Sequence, residues 1–311
     1  MNNIMFMGTP EISATCLKRL IDDGHGICAV VTREDKPRGR GNVMTPTPVK
    51  TLALENNIPV YTPQTLRDEA FMELLNRYNP EIIVVVAYGK ILPLSVIDFP
   101  KFGCVNLHVS LLPKYRGAAP MQRAIMEGES ETGVTVMYMA EGLDTGDIIS
   151  VEKFPIGPTD DFEAIHDRSA EVGGKLLSET IEKIYNGTAD RIPQDDSLAC
   201  YAKKVEKEDC KLDFTLDAKK LDFIIRGVTP IPGAFAYHNG KMLKINKATP
   251  VDGKGVPGEV IDLSDKGEGY VTIACGCGAL RVTCLIPEGK GRMSAGDFAR
   301  GRKIAVGDIL E

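Results

Sequence analysis

Several familiar signatures are missing from this chain of 311 residues. It has no unbroken apolar run of roughly 18 residues, and Met1-Asn2-Asn3-Ile4 carries no basic stretch. Neither a membrane span nor a signal peptide is therefore expected. No G-x-G-x-x-G follows the first apolar run, where Met7-Gly8-Thr9-Pro10-Glu11 stands instead, and no Walker A sequence occurs. The usual glycine cradles for a dinucleotide or a nucleoside triphosphate are thus absent. The 8 cysteines are scattered, mostly inside apolar runs such as Gly103-Cys104-Val105, which suits buried thiols in a reducing compartment. Their one tight pair, Cys275-Gly276-Cys277, is a residue short of the common zinc spacing and has no matching second pair, so no metal is expected. There is no internal repeat and no low-complexity segment.

What is present is a globular composition, 43% hydrophobic and 26% charged, long enough for two domains. The net charge of −6 is unevenly spread. From Lys207 to Glu311 there are 16 basic and 14 acidic residues, a net of +2, against 21 basic and 29 acidic before them, a net of −8. A mildly basic second part is compatible with an anionic partner.

Up to about residue 150, strand-like runs alternate with helical patterns. Ile4-Met5-Phe6-Met7, Ala29-Val30-Val31, Glu81–Ala87, Cys104–His108 and Gly133–Met137 read as strands. Glu11–Asp23 reads as a helix with Ile12, Cys16, Leu17 and Leu20 on one face, and a long helix is expected from Asp161 to Tyr185. This alternation predicts an α/β fold with a Rossmann-like, doubly wound, mostly parallel sheet over residues 1–186. Residues 187–206 are polar and read as a linker. From 207 to 311 a short helix (Leu216–Arg226) precedes brief strands separated by turns at Asn239-Gly240, Asp252-Gly253 and Pro257-Gly258, predicting a small OB-like β-barrel of about five strands.

The chemistry concentrates in Asn106-Leu107-His108-Val109-Ser110-Leu111-Leu112-Pro113-Lys114-Tyr115-Arg116-Gly117-Ala118-Ala119-Pro120. Asn106 and His108, two apart on a strand, point to the same face near the strand's C-terminal end, where open α/β sheets bind ligands. A core histidine satisfied beside a turn asparagine would read the same way. Glu141-Gly142-Leu143-Asp144-Thr145-Gly146-Asp147-Ile148 follows the next strand, and is expected at the same edge. Alone it reads as a turn. With Asn106 and His108, Asp144 completes a plausible acid–base and oxyanion group.

In this order and spacing, the two segments resemble those of the 10-formyltetrahydrofolate-dependent formyltransferases. The resemblance extends to Gly8-Thr9-Pro10-Glu11 and Ala87-Tyr88-Gly89-Lys90-Ile91-Leu92-Pro93. It also covers Arg33–Gly41 and Arg226-Gly227-Val228-Thr229-Pro230-Ile231-Pro232-Gly233, which look like the members acting on methionyl-tRNA. It implies catalytic roles for Asn106, His108 and Asp144, folate contacts from Ser110, Leu111, Leu112, Pro113, Ile91 and Leu92, and tRNA contacts from Lys36, Arg38 and Arg40. The implied co-substrate is 10-formyltetrahydrofolate, without metal, membrane or obligate protein partner, in the cytoplasm, and the implied product is formylmethionyl-tRNA for translation initiation. Two positions depart from the pattern. Ile12 stands where many members have an aromatic, which bears on the methionine pocket, and Ile231 where many have Trp.

On this reading Asn106 donates to the oxyanion of the tetrahedral intermediate, and His108 donates to the same oxygen or takes the amine proton. Asp144 strengthens the histidine as a base or moves protons through a water. A family member acting on glycinamide ribonucleotide would lack residues 207–311, and one acting on an amino-sugar nucleotide would lack the Arg33–Gly41 loop. A hydrolase or a silent folate-binding module leaves that loop or the intact trio unexplained. A pure RNA-binding protein does not fit an acidic first part. From Arg33 to Lys50, five basic residues (33, 36, 38, 40, 50) face two acidic ones, Glu34 and Asp35. With Gly39, Gly41 and three prolines, the segment is expected to be a mobile loop, and an ordinary solvated surface is the alternative.

Overall fold

Two strands of the first half, Ile4–Gly8 and Ile82–Val86, are buried along their whole length, as continuous apolar runs at the centre of a parallel sheet require. A computed structural model describes residues 2–38 and 41–311. In chain order the elements are β1 (Ile4–Gly8), α1 (Glu11–Asp22), β2 (Ile27–Val31), β3 (Lys36–Arg38), β4 (Val43–Thr45), α2 (Pro48–Glu55), β5 (Val60–Tyr61), α3 (Glu69–Tyr78), β6 (Ile82–Val86), α4 (Leu94–Ile97) and β7 (Cys104–His108). Then follow β8 (Arg116–Gly117), α5 (Pro120–Glu127), β9 (Glu131–Tyr138), β10 (Ile148–Pro155), α6 (Phe162–Tyr185) and β11 (Tyr201–Ala202). Last come α7 (Ala218–Val228), β12 (Ala234–His238), β13 (Lys241–Val251), β14 (Val260–Ser264), β15 (Tyr270–Ala274), β16 (Ala279–Pro287), β17 (Met293–Ser294) and α8 (Ala295–Arg300).

Two compact units share the chain. The first comprises residues 1–117, 132–154 and 166–202, the second 118–131, 155–165 and 203–311. In the first, the sheet order is β10-β9-β7-β6-β1-β2-β5, with β5, β2, β1, β6 and β7 mutually parallel. The chain winds outward from β1 and returns to β6, so the loops after β1 and β6 flank the topological switch point, the usual ligand crevice of such a sheet. Thr9 Oγ1 donates to the Tyr88 carbonyl at 3.1 Å, tying those loops together. One sheet face packs Met5, Met7, Ile83 and Val85 against Phe71 and Leu75 of α3 and Val96 of α4. On α1, Cys16, Leu17 and Leu20 are fully buried, and the Cys16 thiol donates to the Ala170 carbonyl of α6. No described helix is long and apolar enough to cross a membrane. All eight cysteines are free, and burial pushes the Cys16 thiol up to about 12.

Two segments carry more regular structure than their sequences suggest. Residues 187–206 read as a linker because they are polar. In the structure they hold β11, which pairs in parallel with β8, while Ile192 bridges Ile148. Their hydrogen bonds run to partners far off in sequence, which polarity alone does not reveal. The segment after β2 reads as a mobile loop, whereas Lys36, Pro37 and Arg38 pair with Thr45, Met44 and Val43 as a short antiparallel hairpin.

The second unit is built on an antiparallel sheet ordered β12-β13-β16-β15-β14, with β17 beside β16. Its core joins Leu221, Ile225 and Val228 of α7 to Ile245, Ile273, Leu280 and Leu285 of the sheet and Phe298 of α8. Register shifts between Ile245 and Ala248 mark a bulge of the kind that bends a long strand. The Arg226-Gly227 pair serves this packing. Arg226 holds Asp222 at 2.9 Å and the Asp160 carbonyl at 2.8 Å, and Gly227 lets α7 approach α5. A Cβ at Gly227 would lie 2.9 Å from the Gln122 carbonyl oxygen. Gly227→Val should therefore lower stability by about 1–3 kcal/mol, read as a fall in the urea midpoint. An unchanged midpoint would mean that α5 and α7 are not held at this separation.

Candidate active site

Asn106 and His108 occupy one face of β7, opposite Met137 and Thr135 of β9. His108 is buried, 6% exposed, and its Nε2 lies 2.9 Å from the Tyr115 carbonyl oxygen. A carbonyl can only accept, so Nε2 carries the proton and Nδ1 is left as the basic nitrogen. That Nδ1 stands 3.7 Å from Asp144 Oδ2, too long for a hydrogen bond but within reach of the carboxylate's field. Asn106 is half-buried, and its amide has no hydrogen-bond partner among the described residues. The structure thus brings the three residues picked from the sequence onto one side of β7, though by a different route.

The reading that β9 ends at the same edge as β7 is overturned. β9 runs antiparallel, pairing its last residue, Tyr138, with Val105 near the start of β7. Loop 139–147 must therefore turn back to bring Asp144 to His108. Asp144 adopts a left-handed backbone conformation, φ +53°, which costs a non-glycine residue about 1–3 kcal/mol unless its surroundings hold it. Gly146 lies so close to β9 that any side chain there would overlap the Tyr138 carbonyl.

Contacts that the sequence did not suggest fix the turn. The Gly117 N–H donates to Asp144 Oδ2 at 2.8 Å, and Gln194 Nε2 donates to the carbonyls of Asp144 and Gly146 at 2.9 and 2.8 Å. Gln194 Oε1 accepts from the Arg116 guanidinium, which is 2% exposed. The conspicuous signal was Arg116-Gly117 itself, a cation followed by a glycine at φ +115° whose Cβ would meet the Ala202 carbonyl at 2.9 Å. Nothing marked Gln194.

The residues expected to face a folate divide into two groups. Ser110 is fully buried, and its hydroxyl donates to the Lys114 carbonyl at 2.7 Å. Leu112 is packed inward with Met137 and Ile148, and its N–H donates to Thr135 Oγ1. Leu111 lies against the backbone at Gly133, and Pro113 is half-buried. These side chains build the loop. Ile91 is different: it is 85% exposed on the loop after β6, beside buried Leu92. On the same loop, Tyr88 has a buried hydroxyl without a hydrogen-bond partner among the described residues, pushed up to about 12 by burial.

Lys36 and Arg38 fall on β3 of the hairpin, with Val43 and Met44 exposed on β4. Arg40, and the side chain of Arg38, lie outside the described residues. Ile12 is buried on α1, and Ile231 is exposed. Among the described residues, no three His, Cys, Asp or Glu side chains are grouped to hold a metal ion.

Comparison with known proteins adds the following. Residues 1–181 match the family model for formyl transferase, and residues 204–303 match that for the formyl transferase C-terminal domain. The methionyl-tRNA formyltransferase of Citrifermentans bemidjiense is 44% identical over 307 residues, covering 99% of this chain and 96% of that protein. The protein of the same name from Lachnospira eligens is 45% identical over 314 residues, covering 99% of each. Among solved structures, an N-formyltransferase from Helicobacter canadensis, in complex with folinic acid and dTDP-3-aminofucose, superposes with a TM-score of 0.67 at 21% identity. That match covers 91% of this chain and 98% of that one. HypX from Aquifex aeolicus in complex with tetrahydrofolic acid superposes with a TM-score of 0.67 at 21% identity, over 98% of this chain. This chain spans only 48% of HypX. At such identities the structural likeness is one of fold.

The geometry around Asp144 yields a direct test. Asp144→Ala removes the acceptor of the Gly117 amide, whose hydrogen exchange should accelerate about 10-fold, the equivalent of one charge-assisted hydrogen bond. The amides of β7 should be unaffected. Unchanged exchange at Gly117, measured by NMR, would mean that the carboxylate does not rest there.

Proposed function

Since this chain belongs to the formyltransferase family, we propose that it transfers the formyl group of 10-formyltetrahydrofolate to the free amine of methionyl-tRNA. The observation that carries the choice of acceptor is the extent of the likeness. Identity of 44% to a methionyl-tRNA formyltransferase runs through both units, over 99% of the chain. The product is formylmethionyl-tRNA for translation initiation, made in the cytoplasm.

Asn106, His108 and Asp144 are the residues we assign to catalysis. The co-substrate supplies the activated formyl group. The free amide of Asn106 donates to the formyl oxygen as negative charge develops there, and a preorganised donor of this kind lowers a barrier by ~3–4 kcal/mol. His108 Nδ1, its other nitrogen engaged by Tyr115, takes the proton of the attacking amine. The Asp144 carboxylate, held by the Gly117 N–H, faces that proton.

The residues present fit a folate at the exposed side chain of Ile91, an apolar surface suited to a flat heterocycle. Leu92 supports it from beneath, and Ser110 to Pro113 contribute through a fixed backbone instead of open side chains. Lys36, Arg38 and Arg40 contact the tRNA backbone. We divide the work as catalysis in residues 1–186 and tRNA binding in residues 207–311, with 187–206 connecting them in sequence.

The deciding experiment incubates the purified protein with 10-formyltetrahydrofolate and either methionyl-tRNA, free methionine, glycinamide ribonucleotide or an amino-sugar nucleotide. Formylated methionyl-tRNA alone is the expected product; preferential formylation of a nucleotide would overturn the assignment. In the same assay His108→Ala should lower turnover at least about 10²-fold, the scale of a general acid–base group, and near-normal turnover would remove it from the mechanism. Lys36→Ala should raise KM for methionyl-tRNA but not for the folate. It should also flatten the log–log salt dependence by about one unit or slightly less. Methionyl-tRNA kinetics unchanged across a salt titration would leave the hairpin as ordinary surface.

A further inference from the structure

We propose that Gln194 is a positioning residue for the reaction, setting Asp144 against His108 through a single amide that spans the back of the Asp144 turn. The inference rests on the catalytic reading of Asp144 and goes beyond it, to a residue whose hydrogen bonds run to Asp144, Gly146 and Arg116 and not to His108.

Both hydrogens of the Gln194 amide are committed to one turn. They go to the carbonyls of Asp144 and Gly146, at 2.9 and 2.8 Å, on either side of Thr145. The amide oxygen accepts from Arg116 Nε at 3.1 Å and Nη2 at 2.8 Å. This fixes the amide's orientation: reversed, its NH2 would face a guanidinium and its oxygen two carbonyls. Arg116 is anchored in turn by Asp196 at 2.8 Å and by β8, which pairs with β11. The next residue, Gly117, supplies the N–H that holds the Asp144 carboxylate. One buried cation thus sets both ends of Asp144, the carboxylate through Gly117 and the backbone through Gln194. The left-handed backbone of Asp144 needs such support, and loop 139–147 carries it across the sheet with no ladder of its own.

The test is a double-mutant cycle on the full-length protein. Gln194→Glu keeps an acceptor for Arg116 but has no hydrogens for the two carbonyls. It should lower kcat for methionyl-tRNA formylation by about 10- to 100-fold, the cost of misplacing a catalytic group by an ångström or less. KM for both substrates should stay within about twofold, as expected when only transition-state interactions are lost. Adding Gln194→Glu to Asp144→Asn should cost nothing further, because a residue acting through Asp144 has nothing left to position. If Gln194→Glu does not fold, Gln194→Met, of similar length and without donors, enters the same cycle. Near-normal kcat in the single variant, or losses that multiply in the double variant, would overturn the proposal while leaving the role of Asp144 intact. Full activity of Asp144→Asn would instead sink the catalytic reading, and the positioning proposal with it.

Discussion

A guanidinium that is 2% exposed is the constraint around which the loops beside His108 are arranged. Removing such a charge from water is costly unless nearly every donor finds an acceptor. Arg116 finds the Gln194 oxygen and the Asp196 carboxylate, both supplied by a segment with little apolar character to bury. That need explains why a polar stretch after a long helix returns to the sheet. Once there, the segment is registered by β11 against β8 and by Ile192 against Ile148. The satisfied cation becomes a fixed point from which the neighbouring loops are hung.

Local backbone conformation follows the same logic. Ala87, Tyr115 and Asp144 all adopt positive φ without being glycine, at 44°, 59° and 53°. They sit on the loop after β6, the loop after β7, and the loop that returns from β9. Strain of this kind persists where the surrounding structure overdetermines it, and it collects where loops must present specific atoms. Tyr115 illustrates the point: its turned backbone aims a carbonyl at His108 Nε2, which selects the tautomer of the imidazole. Which imidazole nitrogen is left without a hydrogen is therefore set by a turn seven residues away.

How much of this was legible in the sequence depended on whether the information was local. The β-branched run at residues 82–86 and the alternation of strand and helix sufficed for the parallel core, because burial on both faces leaves its mark in composition. Asn106 and His108 were legible because two polar residues at strand spacing stand out among valine and leucine. The direction of β9 was not. A helix lies between β7 and β9, the usual sign of a parallel crossover, but α5 is counted with the second unit, where it packs on α7. The hairpin at Lys36 was masked by its prolines and charges. Gln194 was invisible for a simpler reason: its partners are 48, 50 and 78 residues away, and a glutamine among polar neighbours carries no local mark.

The parallel pairing of β11 with β8 also imposes an order of events on a ribosome. Translation runs from the N-terminus, so Arg116 emerges 78 residues ahead of Gln194, a delay of roughly 4–16 s at elongation rates of about 5–20 residues per second. Through that interval the guanidinium has none of the partners that justify its burial, and Asp144, once made, waits a further 50 residues for the Gln194 amide. The nascent chain therefore holds His108 and Asp144 before the segment that hydrogen-bonds the Asp144 turn exists, and that turn is completed late, by the stretch that ends in β11 beside Gly117.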